Sequence, residues 1–487
     1  MDKMADNVTK DGLLYGRFPD KFLWGAATEN YMVEGGSVAD GKGMSTWDTF
    51  VRSHGHLFDH CNGDVASDSY HRYRGDIEAL KLIKANHYKF SLSWSRILPT
   101  GDINDVNQHG VDYYNSVIDD LLQADIQPMV TLFSWDMPIN LAKHGGWLVE
   151  STIAAFVAYS KFCFRLFGNR VKLWLTIFEP FVVGLHCHED GLLYPGEISH
   201  SDNMYLSVHN MIKAHAQVYR MYQNDFFTQQ QGQIGLSLEV KWSIMSDPSN
   251  IQDQEAYKIN DEFNFGWLGD PIFKTGDYPD VVKKRVEIKS RESGLESSRL
   301  PEFTESEKQM NKGSADFYGI TYWTGEIISA LEQTHDNVTS LKNDKGVCSK
   351  FDPKWESCAS DWLKIVPGGL RPTLNKIKDR FGDIPIYVTA NGISDNGDVG
   401  DDQKRIKYIQ DNTNDILKAI CLDGIDVRGY TYWSLIDGFY WNGYQEKFGL
   451  FHVDFTSDEK TRTAKPSALC FAKIVENNGF VKDSDDK

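Results

Sequence analysis

The 487 residues carry 51 Lys and Arg against 69 Asp and Glu, a formal charge of −18. No basic surface dominates, which argues against a nucleic-acid partner or an anionic membrane. Hydrophobic residues at 41% and charged residues at 25% are ordinary globular values that support a sizeable core, and no apolar run approaches the ~20 residues needed to span a bilayer.

The chain opens on MDKMADNVTKDG, a polar stretch without a signal-peptide pattern. That fits an intracellular protein or a mature secreted chain, so the compartment stays open. Residues 1–15 and the tail 481–487 are expected to be unstructured. From there one unit repeats: a short β-rich apolar run, a loop, then an amphipathic helix. The predicted strands are 22–28 (FLWGAAT), 87–94 (HYKFSLSW), 127–135 (QPMVTLFSW), 173–180 (LWLTIFEP), 233–242 (QIGLSLEVKW), 315–323 (ADFYGITYW), 385–391 (PIYVTAN) and 429–437 (GYTYWSLID). Between the second and third, Tyr114, Val117, Ile118, Leu121 and Leu122 recur at helical spacing. Ile409, Ile416 and Ile420 mark a later helix closing at Asp423-Gly424.

Eight strands alternating with helices predict an α/β fold, a (β/α)8 barrel. An open doubly wound sheet would place a Gly-rich phosphate turn after the first strand, and Trp24-Gly25-Ala26-Ala27-Thr28 has none. Segments 183–230 and 330–370 read as long βα-loop insertions too polar to be separate cores, so residues 1–487 are expected to form a single domain. Two sequons begin at Asn7 and Asn337, and seven cysteines are scattered, of which Cys348 and Cys358 could close one loop.

Barrel sites form at the C-terminal ends of the strands. Here those ends gather Trp94, Trp135-Asp136, Phe178-Glu179-Pro180, Trp323 and Trp433. Glu179 closes the apolar run LWLTIF and is pinned by Pro180; partial desolvation there would raise its pKa and suit a general acid. From these residues alone, a strand-end Glu paired to a nearby cation reads equally well. The seventh strand ends on Ala390, where a carboxylate would be expected and where a methyl group does almost nothing chemical. His54, His56, His60 and Cys61, and separately His186 to Glu189, cluster in loops; neither reads as a metal site, and no metal or cofactor is expected.

The stretches FPDKFLWGAAT, VEGG, STWDTF, GDVASDSYHRY, FSLSWSRILPTG, DEFNFGWLGDPIF, SRLPEFT, YVTANG, GYTYWSL and KFGLFHVDF stand in this order along the chain. With them, residues 17 to 475 resemble the family 1 glycoside hydrolases, the β-glucosidase and myrosinase group, in an animal-like version. The resemblance implies a TIM barrel and, by default, retaining β-glycoside hydrolysis without a cofactor. That mechanism needs two carboxylates about 5–5.5 Å apart, an acid/base and a nucleophile.

Matched residue by residue, the family's Thr-x-Asn-Glu-Pro stands here as Thr176-Ile177-Phe178-Glu179-Pro180, so the resemblance makes Glu179 the acid/base. Its Thr-Glu-Asn-Gly stands as Thr389-Ala390-Asn391-Gly392, which puts Ala390 at the nucleophile position. The family's sugar-binding Gln is Met32, its His before Trp135 is Ser134, and its Asn beside the acid/base is Phe178. Its Arg supporting the nucleophile is Lys89, which cannot reproduce a guanidinium fork. Its sixth-strand Asn and Tyr are Thr321 and Trp323, and its late sugar-holding Glu is Tyr440, next to the matching Trp441 and downstream of Trp433. Each hydrogen bond withdrawn from a desolvated sugar hydroxyl costs about 1–3 kcal/mol.

The expectation is therefore a degenerate β-glucosidase-like protein with an apolar, aromatic pocket for a small hydrophobic or aromatic molecule, Glu179 serving non-glycosidic acid/base chemistry. The alternatives are a non-catalytic carrier or sensor, an altered or residual β-glycosidase, a β-glucosidase whose nucleophile was edited from Glu to Ala, and an interaction pseudoenzyme. A homo-oligomer is compatible with all of these.

Overall fold

The computed structural model describes residues 12–199, 201–331, 339–397 and 402–482. The first 11 residues, residues 483–487 and Asn7 and Asn337 of the two sequons lie outside them. Eight parallel strands close into a barrel: β1 (Leu23–Thr28), β2 (His87–Ser91), β3 (Gln127–Phe133), β4 (Leu173–Phe178), β5 (Gln233–Glu239), β6 (Phe317–Thr321), β7 (Ile386–Asn391) and β8 (Val427–Trp433). Seven fall within the predicted segments, and β8 begins at Val427, two residues before the predicted 429–437. β8 closes on β1 with Trp433 opposite Ala27. Strands covered on both faces need continuous apolar runs rather than alternation, and every residue of β4, LWLTIF, is buried.

The helix between β2 and β3, α1 (Gln108–Gln123), buries Val111, Tyr114, Val117, Ile118 and Leu121. Leu122, expected on the same stripe, is 38% exposed because it lies at the stripe's edge. Truncating Ile118 or Leu121 to Ala would cost about 2–5 kcal/mol, and truncating Leu122 far less. The helix after β7, α4 (Gln403–Cys421), buries Ile409 and Ile416 and half-buries Ile420.

Segment 183–230, read from the sequence as an insertion, is in large part the barrel's own fourth helical layer. Pro180–His188 (α2) leads into Asp202–Asp225 (α3), which buries Met204, Tyr205, Val208, Met211 and Ile212. Its polar positions, His209, Asn210 and His215, are buried as well, which disguised the stripe. Segment 330–370 extends a small sheet in which Gly325–Ala330 pairs with Trp242–Met245 and Val347–Lys350. Cys348 and Cys358 do not bridge: they sit in separate ribbons, and all seven cysteines are free thiols.

One glycine fixes the top of the barrel. A Cβ on Gly392 would lie 1.8 Å from the carbonyl oxygen of Trp433, so only glycine lets the chain leave β7 this close to the Trp433 backbone. Ala390 is thereby held in the wall, its carbonyl accepting from the Tyr322 N–H at 3.1 Å and its register partner on β6 being Thr321.

Candidate functional site

At the C-terminal ends of the strands lies a cavity of about 510 Å³. Nine of the residues singled out from the sequence line it: Met32, Ser134, Trp135, Phe178, Glu179, Trp323, Trp433, Tyr440 and Trp441. Lys89, Thr321 and Ala390 are fully buried in the strands behind that wall. Trp94 belongs to the core, stacked on Tyr159 at 4.8 Å.

Glu179 follows β4 directly and starts α2 in a left-handed conformation, φ 50°, with Pro180 at the first helical position. Its N–H donates to the Ser237 carbonyl of β5 at 2.9 Å. The strand, the turn and the helix together fix the side chain, which is 1% exposed. Thr321 Oγ1 donates to Glu179 Oε1 at 2.6 Å and Trp323 Nε1 donates to the same oxygen at 2.8 Å. No donor among the described residues reaches Oε2.

Burial pushes the Glu179 carboxyl up to about 8, and the negative charge of Glu239 at the end of β5 adds to the rise. The Thr321 and Trp323 hydrogen bonds and the Lys89 charge pull in the opposite direction. At neutral pH the group is mostly a neutral acid. Desolvation wins over the cation because Lys89 is committed elsewhere.

That commitment is to Glu29, at the end of β1. Lys89 Nζ donates to Glu29 Oε1 at 2.5 Å, both groups being buried, because the β1–β2 register sets Ala27 beside Lys89. The ammonium also stands 3.9 Å from the centre of the Phe178 ring and 5.7 Å from that of Trp433, within cation–π range. Glu29 forms part of the cavity wall, and its Oε2 is buried without a donor among the described residues.

The rest of the wall is aromatic. Phe178 lies nearly parallel to Trp433, centroids 6.2 Å apart, and Trp323 meets Trp433 edge-on at 6.1 Å. Trp135 and Trp441 pack at 5.1 Å, with Trp135 Nε1 donating to the Phe178 carbonyl. The Tyr440 hydroxyl is satisfied within the protein, 2.5 Å from Ser434 Oγ and 3.2 Å from the Ile436 carbonyl. The 330–370 segment contributes Phe351 and Trp362 to the mouth.

The sequence reading missed Glu29, Glu239 and Lys241 in this wall. The rule that found Glu179, a carboxylate closing an apolar strand, also applies to Glu29 after LWGAAT and to Glu239 in LSLE. Glu239 stands 3.9 Å from Lys241, whose pKa it raises. Asp136, by contrast, turns into the protein, accepting from Asn30 Nδ2 and the Trp47 N–H.

His54 stacks on Phe50 and bonds its carbonyl, while His186 packs against Trp441 and pairs with Asp190. Among the described residues no three His, Cys, Asp or Glu side chains are gathered to hold a metal, and no helix is long and apolar enough to cross a membrane.

Comparison with known proteins agrees with this architecture. Residues 14–480 match the model of glycosyl hydrolase family 1. Human cytosolic beta-glucosidase is 43% identical over 466 residues, covering 95% of this chain and 99% of its own. Human lactase/phlorizin hydrolase is 42% identical over 97% of this chain, which spans only 24% of that longer protein. Among solved structures, aphid myrosinase superposes with a TM-score of 0.90 at 34% identity, covering 95% of this chain and all of its own. The closed eight-stranded barrel, these matches along almost the whole chain and the site at its mouth lead to one assignment: the chain belongs to glycosyl hydrolase family 1.

Proposed function

We propose that this family member, acting as one domain over residues 1–487, does not hydrolyse β-glycosides by the retaining route. Instead it uses Glu179 as a lone acid/base on a small apolar or aromatic molecule. The observation that carries the reading is the pairing of a methyl group at Ala390 with a raised carboxyl at Glu179. A retaining site needs a second, ionised carboxylate on the seventh strand. Glu29 and Glu239 sit on other strands, beside Lys89 and Lys241.

The wall supports the same reading. Met32, Phe178 and Tyr440 stand where the family resemblance calls for groups that grip sugar hydroxyls, and each leaves such a hydroxyl unpaired at about 1–3 kcal/mol. A mostly protonated Glu179 in an aromatic cavity suits proton transfer to or from a bound molecule, as in an isomerisation, cyclisation or dehydration. The beta-glucosidase relatives favour ordinary hydrolysis, and the test is built to decide between the two. Purified protein and Glu179→Gln are assayed on aryl β-glucosides, then on a small-molecule extract of the source. The expected result is glucoside turnover several orders of magnitude below that of cytosolic beta-glucosidase, with an extract component transformed only by the unsubstituted protein. Turnover at the relative's rate, lost in Glu179→Gln, would sink the proposal.

A carrier is the second reading, favoured by the two internal donors that already hold Glu179 Oε1. A stoichiometric apolar molecule co-purifying with the protein, and unchanged by it, would select this alternative.

A further inference from the structure

The charges around the cavity balance only while Glu179 keeps its proton. Lys89 is spent on Glu29, and Lys241 stands beside Glu239. Glu179 has two neutral donors, Thr321 and Trp323, and no cation in contact among the described residues. One unmet acceptor, Glu29 Oε2, sits on a side chain 3% exposed in the cavity wall, and Glu179 Oε2 in the same wall has no donor among the described residues. An acceptor buried without a donor loses its hydration and regains nothing until a donor arrives.

The groups around these acceptors are π faces. Phe178 and Trp433 already hold the Lys89 ammonium on one side, and Trp323 and Trp441 extend the aromatic surface. Carboxylate oxygens combined with ring faces recognise an ammonium group: the faces attract the cation and its apolar substituents, and the carboxylates take its N–H bonds. A neutral alcohol could reach only one of the two oxygens with its single proton. A carboxylate ligand would offer no donor to either oxygen and would add a negative charge beside Glu29, Glu179 and Glu239. The overall charge of −18 also draws organic cations toward the surface.

We propose that the cavity takes a protonated amine carried on an aromatic or apolar skeleton, its nitrogen seated between Glu29 Oε2 and Glu179 Oε2. The inference rests on the proposed function and gives its substrate class. With the ammonium in place Glu179 is held as a carboxylate, the base form of the acid/base pair.

The test uses three probes that share one ring and differ in headgroup: tryptamine, tryptophol and indole-3-propionate, each titrated calorimetrically into the purified protein at pH 7. Tryptamine is expected to bind about tenfold or more tightly than tryptophol, and indole-3-propionate most weakly. Glu29→Gln keeps an oxygen for Lys89 but removes the charge. It should weaken tryptamine about tenfold while changing tryptophol less than about threefold. If the single variant fails to fold, Lys89→Met combined with Glu29→Gln serves in its place, with the same expected loss. Equal or tighter binding of tryptophol, no binding by any probe, or tryptamine binding unaffected in both variants overturns the inference. Equal binding of tryptamine and tryptophol overturns the cation inference alone; glucoside turnover at the relative's rate overturns the reading beneath it.

Discussion

The indole N–H of Trp323 donates to Glu179 Oε1 across 2.8 Å, and the hydroxyl of Thr321 reaches the same oxygen at 2.6 Å. Both bonds favour the ionised form, yet burial and the Glu239 charge outweigh them and leave the carboxyl at about 8. The residue that lines the cavity as a ring thus also acts on the acidity of Glu179.

Trp323→Phe keeps the ring and removes the donor. A hydrogen bond to a charged group is worth about 1.5–3 kcal/mol, so the Glu179 pKa should rise by about one to two units. Infrared titration of the protonated carboxyl band, referenced to Glu179→Gln, reads this directly. An unchanged or lower midpoint would show that the indole bond does not act on the carboxyl.

The raised pKa also fixes a stability trend. Below about 4.5 Glu179 is protonated in both folded and unfolded chains. Between there and about 8 the unfolded chain loses the proton while the folded one keeps it, so stability falls as pH rises through this window and levels off above it. The Lys89, Lys241 and Glu239 charges around the group belong to the same folded environment. Urea unfolding at pH 5 and pH 8 should show Glu179→Gln gaining on the unsubstituted protein by up to a few kcal/mol at the higher pH. The opposite trend would mean that the folded carboxyl is ionised at neutral pH.

Lys89→Met leaves the Glu29 charge buried and alone. Breaking a buried pair by removing one partner costs about 3–5 kcal/mol, whereas Lys89→Met with Glu29→Gln should recover most of that loss. Denaturation midpoints of the two single variants and the double variant form the cycle. Additive losses in the double variant would show that the two groups are not coupled.

Ala390→Glu brings a carboxylate to the seventh strand. The position is fully buried, with Thr321 opposite and the Gly392 turn immediately beyond. The variant should lose about 1–3 kcal/mol of stability, read by thermal melting. Aryl β-glucoside hydrolysis should stay low because Met32, Phe178 and Tyr440 still fail to hold the sugar. Hydrolysis restored to the level of the beta-glucosidase relatives would mean that the rest of the pocket had kept its sugar-binding capacity.

The strands were legible because each is an apolar run bounded by turn residues, a local signal that survives without any tertiary context. Leu122 and the helix Asp202–Asp225 show the limits of that signal. Leu122 fits the apolar period yet stands at the edge of the buried face. The long helix buries His209, Asn210 and His215 beside Met204 and Val208, so its composition looks like that of a surface loop.

The chain alone determined the barrel, the strand-end place of Glu179, the methyl group at position 390 and the aromatic side chains around them, because each is a property of a short segment. Only closure of the barrel decided that Glu29 faces Lys89, that Glu239 raises Glu179, and that a carboxylate oxygen is left without a donor at the cavity wall. Those relationships join residues 60 positions apart, both for Glu29 with Lys89 and for Glu179 with Glu239. Electrostatic energy depends on distance and burial in space, and neither can be read from separation along the chain.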